Sequence, residues 1–141
     1  MDEKELRLLV AVDGSIHGEK ALRKAALLAL SAPCYEIAVV CVVEVREFAS
    51  LISEADTEEM EVRAKKILQD SLEILTSEGV DATSHLLHGP PVTKILEFAD
   101  SFKPDLIVTG SRGMGAAKGA LIGSVSSSLS KRANTSVLIV R

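Results

Sequence analysis

Tryptophan is absent from this 141-residue chain, aromatic residues make up only 3% of it, and cysteine occurs twice. So few rings cannot build the stacking platforms on which single-stranded nucleic acid is held. Nor is there an excess of cations: 16 Lys and Arg stand against 20 Asp and Glu, a net charge of −4. Without a basic tail or stripe, any phosphate binding must be local rather than a field over the whole surface. Cys34 and Cys41 lack metal-ligand spacing, and Cys41 lies inside an apolar run as a small core residue. The three histidines, His17, His85 and His88, form no metal-spaced set with Cys or Asp and read as surface or packing residues. No apolar run approaches the ~20 residues of a membrane helix. The opening MDEKELRLLVAVD is acidic and enters a short apolar run at once, which is not a signal-peptide pattern. A single domain over residues 1–141, in the cytoplasm and away from membranes and nucleic acid, is the expectation.

What the chain does contain is a strand-like run, a glycine loop and a serine-rich helix start, LIVTGSRGMGAAKGALIGSVSSSL over 106–129. Leu106-Ile107-Val108 reads as a buried parallel strand. Five glycines follow, Gly110, Gly113, Gly115, Gly119 and Gly123, with two cations, Arg112 and Lys118, among them. Glycines admit phosphate oxygens close to the backbone, and a helix start offers unpaired N–H groups. The familiar phosphate fingerprints are absent. No Gly-x4-Gly-Lys-Ser/Thr occurs, and the dinucleotide pattern begun at Gly113 and Gly115 meets Lys118 where its third glycine belongs.

Elsewhere, strands and helices alternate. Leu6–Val12 is a first buried strand that stops at Asp13-Gly14-Ser15, and Leu22, Ala25, Ala26 and Ala29 form the inner stripe of a helix over 18–30. Ile37–Val43 is a second strand. Residues 44–57 read as a loop or short helix. A long helix over 58–77 carries outer pairs Glu59–Arg63 and Glu61–Lys65 and ends at Gly79. Val80–Leu87 is a polar edge strand, Gly89-Pro90-Pro91 opens a third helix, and Ser136–Val140 is the last strand. Five such alternations predict an α/β domain, a parallel sheet with helices on both faces. For the order 3-2-1-4-5 the ligand crevice lies between strands 1 and 4, which brings Asp13 to the Gly110 loop.

The spacing Gly110-x2-Gly113-x9-Gly123-Ser124 resembles the ATP-binding signature of the universal stress protein family. So do LLVAVDGS (8–15), VVCVVEV (39–45), HGPPVTKILEFA (88–99) and the closing SVLIVR. The resemblance spans the chain and implies a Rossmann-like fold akin to the adenine nucleotide alpha hydrolases, in the order 3-2-1-4-5. It implies that Asp13 holds the ribose and that the backbone of Val42 meets the adenine edge. Gly110 and Gly113 then pass under ribose and phosphates, while Gly123, Ser124, Val125 and Ser126 bind phosphate oxygens. Val12, Gly14 and Ser15 around Asp13, with Thr109 and Arg112 around the glycines, complete the expected contact set. ATP with Mg²⁺ or Mn²⁺ carried on its phosphates is the implied cofactor, and strand 136–140 is the implied homodimer contact.

Plainer readings stand beside these. Asp13 has the plainer reading of an N-cap of the first helix, Ser124 can cap its helix and bind phosphate with the same geometry, and Arg112 and Lys118 are equally solvated loop charges. A helix end supplies only about half a positive charge, so side chains or a cation must neutralise the rest of a triphosphate. No carboxylate or histidine in the loop is placed to activate water, so no catalytic residue is assigned. A nucleotide-binding regulatory module responding to stress is the first expectation. The alternatives are a slow ATPase or nucleotide-transfer enzyme assisted by Asp13 or Glu44, and a nucleotide-independent dimeric scaffold.

Overall fold

A computed structural model describes residues 4–44, 54–113 and 123–141. Gly115, Lys118 and Gly119, and most of the 44–57 connection, lie outside the described residues. The elements run β1 (Leu6–Ala11), α1 (Ile16–Leu30), β2 (Tyr35–Val43), α2 (Glu54–Ser77), β3 (Thr83–His88), α3 (Pro91–Phe102), β4 (Leu106–Gly110), α4 (Ser124–Arg132) and β5 (Ser136–Val140). They form one five-stranded sheet of order β3-β2-β1-β4-β5, every neighbouring pair parallel.

Interior strands are covered on both faces, which is why they read as unbroken apolar runs. Leu8, Val10, Ile37, Val39 and Val108 face α1 and α2. Leu9, Ala38, Val40 and Ile107 face α3 and α4. The alanine stripe of α1, Ala21, Ala25, Ala26 and Ala29, is fully buried, and its small side chains bring the helix close to the sheet. The edge strands β3 and β5 are only half-buried.

Two local expectations shift. Val80 belongs to the end of α2 rather than to β3. Gly79, at φ +87°, donates its N–H to Thr76 O and Val80 donates to Leu75 O, while the buried Val80 side chain plugs the helix end. This is the Schellman arrangement, and it takes Val80 out of the strand. Glu61 turns to His88 Nε2 at 3.0 Å instead of to Lys65.

The lower end of the sheet is tied by Arg7. Its guanidinium donates twice to Phe102 O (3.0 and 2.7 Å), pairs with Glu36, and lies 4.2 Å over the Phe102 ring. The Arg7 backbone N–H donates to Asp105 at 2.9 Å, and with Lys4 nearby it holds that carboxyl below its usual range. The helix–strand turn is thereby fixed to β1.

Candidate functional site

At the opposite, C-terminal end of the strands, β1 and β4 part company because their crossovers leave toward opposite faces. A cleft of about 370 Å³ opens there. Every expected contact residue except Gly14 lines it: Val12, Asp13, Ser15, Val42, Thr109, Gly110, Arg112, Gly113, Gly123, Ser124, Val125 and Ser126. Gly14 instead takes φ +87° in the turn after β1, where an added Cβ would meet the Ile67 side chain of α2 at 3.0 Å.

The two distant parts of the chain meet directly. Ser15 caps α1: its Oγ accepts from Gly18 N–H at 3.1 Å and donates to Arg112 O at 3.4 Å. Asp13 is therefore not the N-cap. Its Oδ1 accepts the Ser15 N–H at 3.0 Å, and its Oδ2 faces Gly113, where an added Cβ would sit 2.3 Å away. Gly113 is thus bare so that the Asp13 carboxylate can lie against the loop.

Gly110 has a different reason to be glycine. A Cβ there would come within 2.7 Å of the His17 carbonyl carbon and of its Cβ. The first turn of α1 packs on that backbone, so the glycine secures the cleft wall.

The base of the loop converges on one carbonyl. Ser111 O accepts from Gly123 N–H and from the buried Ser126 hydroxyl (3.2 Å), while Ser111 N–H donates to Val140 O of β5 at 2.7 Å. The Ser126 hydroxyl also reaches Gly123 O at 3.1 Å. Its proton is thereby engaged with main-chain carbonyls, which leaves the backbone N–H as the Ser126 group aimed at the cleft. No side chain caps α4, whose N-cap is Gly123 and whose first turn has no acid. The N–H groups of Ser124, Val125 and Ser126 precede the first intrahelical bond, Ser127 N–H to Gly123 O. An uncapped helix start of this kind attracts anions.

The other half of the cleft is apolar, and sequence reasoning missed most of it. Ala11, Val40 and Ile95, with Pro91 at the start of α3, line it alongside Val42. The signal was present as parity, because Ala11, Val40 and Val42 share one sheet face and Ile95 lies on the inner stripe of α3. Val42 has a second use. β1 pairs with β2 only as far as Ala11–Val40, and Val40 O accepts the Val12 N–H. By the two-residue period, the N–H and C=O of Val42 point the same way, past the end of β1 and into the cleft.

Charge in the cleft is mixed: Asp13 and Glu44 against Arg112. Beneath it, burial first and Asp13 second push the Cys41 thiol up to about 11, so it is inert as a nucleophile. Among the described residues no three His, Cys, Asp or Glu side chains gather as metal ligands. The cleft as built suits a flat apolar group carrying hydroxyls and an anionic end.

A family model described as the universal stress protein family matches residues 6–141. A universal stress protein of Methanocaldococcus jannaschii is 30% identical over 139 residues, spanning 96% of this chain and 81% of that protein. The structure of a universal stress protein from Archaeoglobus fulgidus in complex with dAMP has a TM-score of 0.74 at 25% identity, covering 99% of this chain and all of that one. Another universal stress protein structure, in complex with cAMP, has a TM-score of 0.74 at 26% identity, covering 96% of this chain and 97% of that one.

Proposed function

This chain belongs to the universal stress protein family, and from that premise we propose that it is an ATP-binding regulatory protein of the stress response. The observation that carries the proposal is the meeting, in one cleft, of the uncapped α4 start with the Asp13 carboxylate beside an apolar slot. The dAMP and cAMP held by two relatives make an adenine nucleotide the shared chemistry. Adenine enters the slot between Val40, Val42 and Ile95, its edge reading the Val42 main chain. Asp13 Oδ2 accepts from the ribose hydroxyls. Gly113 and Thr109 leave room beneath the sugar, and the N–H groups of Ser124, Val125 and Ser126 take the phosphates.

Two carboxylates against one arginine leave a triphosphate under-neutralised, so Mg²⁺ or Mn²⁺ travels with ATP on its phosphate oxygens and supplies the missing positive charge. The residues present favour holding over hydrolysis, since Asp13 Oδ1 is already engaged by the Ser15 N–H. β5, at the sheet edge, pairs two copies into a homodimer. A cytoplasmic location fits this role, and among the described residues no helix is long and apolar enough to cross a membrane.

Calorimetric titration with MgATP tests the proposal. We expect saturable binding at micromolar to sub-millimolar concentrations that is lost in Gly113→Val, whose side chain would occupy the place of the Asp13 carboxylate. Absence of binding at millimolar MgATP, or undiminished binding by the variant, overturns it.

A further inference from the structure

The three central strands turn Leu9, Ala11, Ala38, Val40, Val42 and Ile107 toward α3 and α4. Two residues beyond Ile107, and so on the same face, β4 carries Thr109. It lies in register with Ala11, where the pairing of β1 with β4 ends, and it is only 5% exposed. A hydroxyl in such surroundings is out of place unless it is bonded. Ser71 and Ser126, also buried, spend theirs on main-chain carbonyls, Ile67 O at 2.7 Å and Ser111 O at 3.2 Å. The Thr109 hydroxyl has no protein partner among the described residues, and no side-chain oxygen sealed from solvent there is left without one. It is therefore the part of Thr109 that opens on the β1/β4 cleft.

Shape does not account for the residue. Valine is β-branched in the same way, suits a strand equally and would fill the same space without placing an unpaired polar group there. Position limits what the hydroxyl meets. β1 carries Ala11 and, two residues on, Asp13, so Thr109 and Asp13 border one place at the end of β1. The two differ in chemistry: the Asp13 carboxylate only accepts, whereas the Thr109 hydroxyl both donates and accepts. A ligand hydroxyl held between them gives its proton to Asp13 and takes one from Thr109, which satisfies all three groups.

We propose that Thr109 recognises the ribose 2′-hydroxyl and so makes the cleft selective for ribonucleotides over 2′-deoxyribonucleotides. The role rests on nucleotide binding in the β1/β4 cleft. The 2′ carbon is bonded to the carbon that carries the base. With the base in the slot between Val40 and Ile95, the 2′-hydroxyl is therefore the deeper of the two and meets the buried strand β4. Its proton goes to Asp13 Oδ2, and its oxygen accepts from Thr109 Oγ1. Without the 2′-hydroxyl, the Thr109 hydroxyl is left unpaired beneath the sugar, and a site built to bond a ligand hydroxyl rejects the analogue that lacks it.

The test is a calorimetric titration of the full chain and two variants with the Mg²⁺ complexes of ATP, 2′-deoxy-ATP and 3′-deoxy-ATP. Wild type is expected to bind ATP about tenfold more tightly than 2′-deoxy-ATP. Thr109→Val keeps the shape and removes the hydroxyl. It is expected to lose about fivefold toward ATP and 3′-deoxy-ATP, to stay within about twofold toward 2′-deoxy-ATP, and to show no fall in thermal midpoint. Thr109→Ser, which restores the hydroxyl, is expected to recover the preference for ATP over 2′-deoxy-ATP. Four outcomes would each overturn the role of Thr109 while leaving nucleotide binding intact: equal wild-type affinity for ATP and 2′-deoxy-ATP, unchanged ATP affinity in Thr109→Val, an equal loss toward all three ligands in that variant, or a loss that spares 3′-deoxy-ATP instead of 2′-deoxy-ATP. A wild-type chain that binds none of the three at millimolar concentration overturns nucleotide binding itself, and the role of Thr109 with it.

Discussion

The two ends of the α3/α4 layer are made from the same helices but by opposite means. At the N-terminal end, Gly123 offers α4 no capping side chain, so the first-turn N–H groups of α4 stay open toward the cleft, while α3 brings Pro91, which has no N–H, to its edge. At the C-terminal end the acceptors are covered. Lys103 N–H donates to Ala99 O, the Arg7 guanidinium to Phe102 O, Ala133 N–H to Leu129 O and the Ser130 hydroxyl to Ser127 O. One end presents backbone and the other presents side chains. The first is therefore governed by glycine geometry, and the second by charge on individual residues.

That contrast is sharpest in Gly110→Ala, the largest effect we expect. The new Cβ would strike main-chain atoms of His17, which cannot rotate away, so α1 must lift from β4. A cost of about 3 kcal/mol in urea unfolding is expected, at the upper range for overpacking. A change under about 0.5 kcal/mol, a typical neutral surface substitution, would show that the upper wall is soft and that backbone approach does not set it.

Arg7→Met probes the other end and comes second. It keeps much of the packing on Phe102 but removes two donors to Phe102 O and the pair with Glu36. Arg7 is about one-third exposed, and a loss of about 2 kcal/mol fits hydrogen bonds from a charged donor. Affinity for MgATP should stay within about twofold, because the cleft is at the far end of the sheet. A parallel fall in stability and nucleotide affinity would mean that the two ends do not act separately.

The same division explains what was legible in the sequence. The parallel sheet and both helix faces follow from apolar periodicity and crossover handedness, which are repeated many times along the chain, whereas the order 3-2-1-4-5, and with it the meeting of Asp13 and the glycine loop, came with the family resemblance. The apolar half of the cleft was less visible, because Ala11, Val40 and Ile95 read as ordinary core and only strand parity brings them to one face at the strand ends. Val80 was misplaced because a β-branched residue after glycine suits both a strand start and a Schellman plug, and only the bonds to Leu75 O and Thr76 O decide between them. The separate reasons for Gly110 and Gly113 were out of reach: one glycine admits a helix backbone and the other a carboxylate, and spacing alone does not distinguish them.

Ser126→Ala makes the smallest and most discriminating change at the cleft end. The hydroxyl is buried and donates to Ser111 O and Gly123 O, but neither acceptor is orphaned by its loss. Ser111 O keeps the Gly123 N–H, and Gly123 O keeps the Ser127 N–H. The stability cost should accordingly be about 1 kcal/mol, the net value of one neutral hydrogen bond. A hydroxyl that only holds α4 in place should alter nucleotide affinity no more than about threefold, whereas one donating to phosphate should change it tenfold or more, as a charge-assisted bond does. Titrating Ser126→Ala and Ser124→Ala with MgATP side by side separates the two roles, since the Ser124 hydroxyl stands at the first turn of α4 and the Ser126 hydroxyl is turned to main chain. A larger loss at Ser126 than at Ser124 would mean that the buried hydroxyl leaves Ser111 to meet the ligand, and that the upper end relies on side chains as the lower one does.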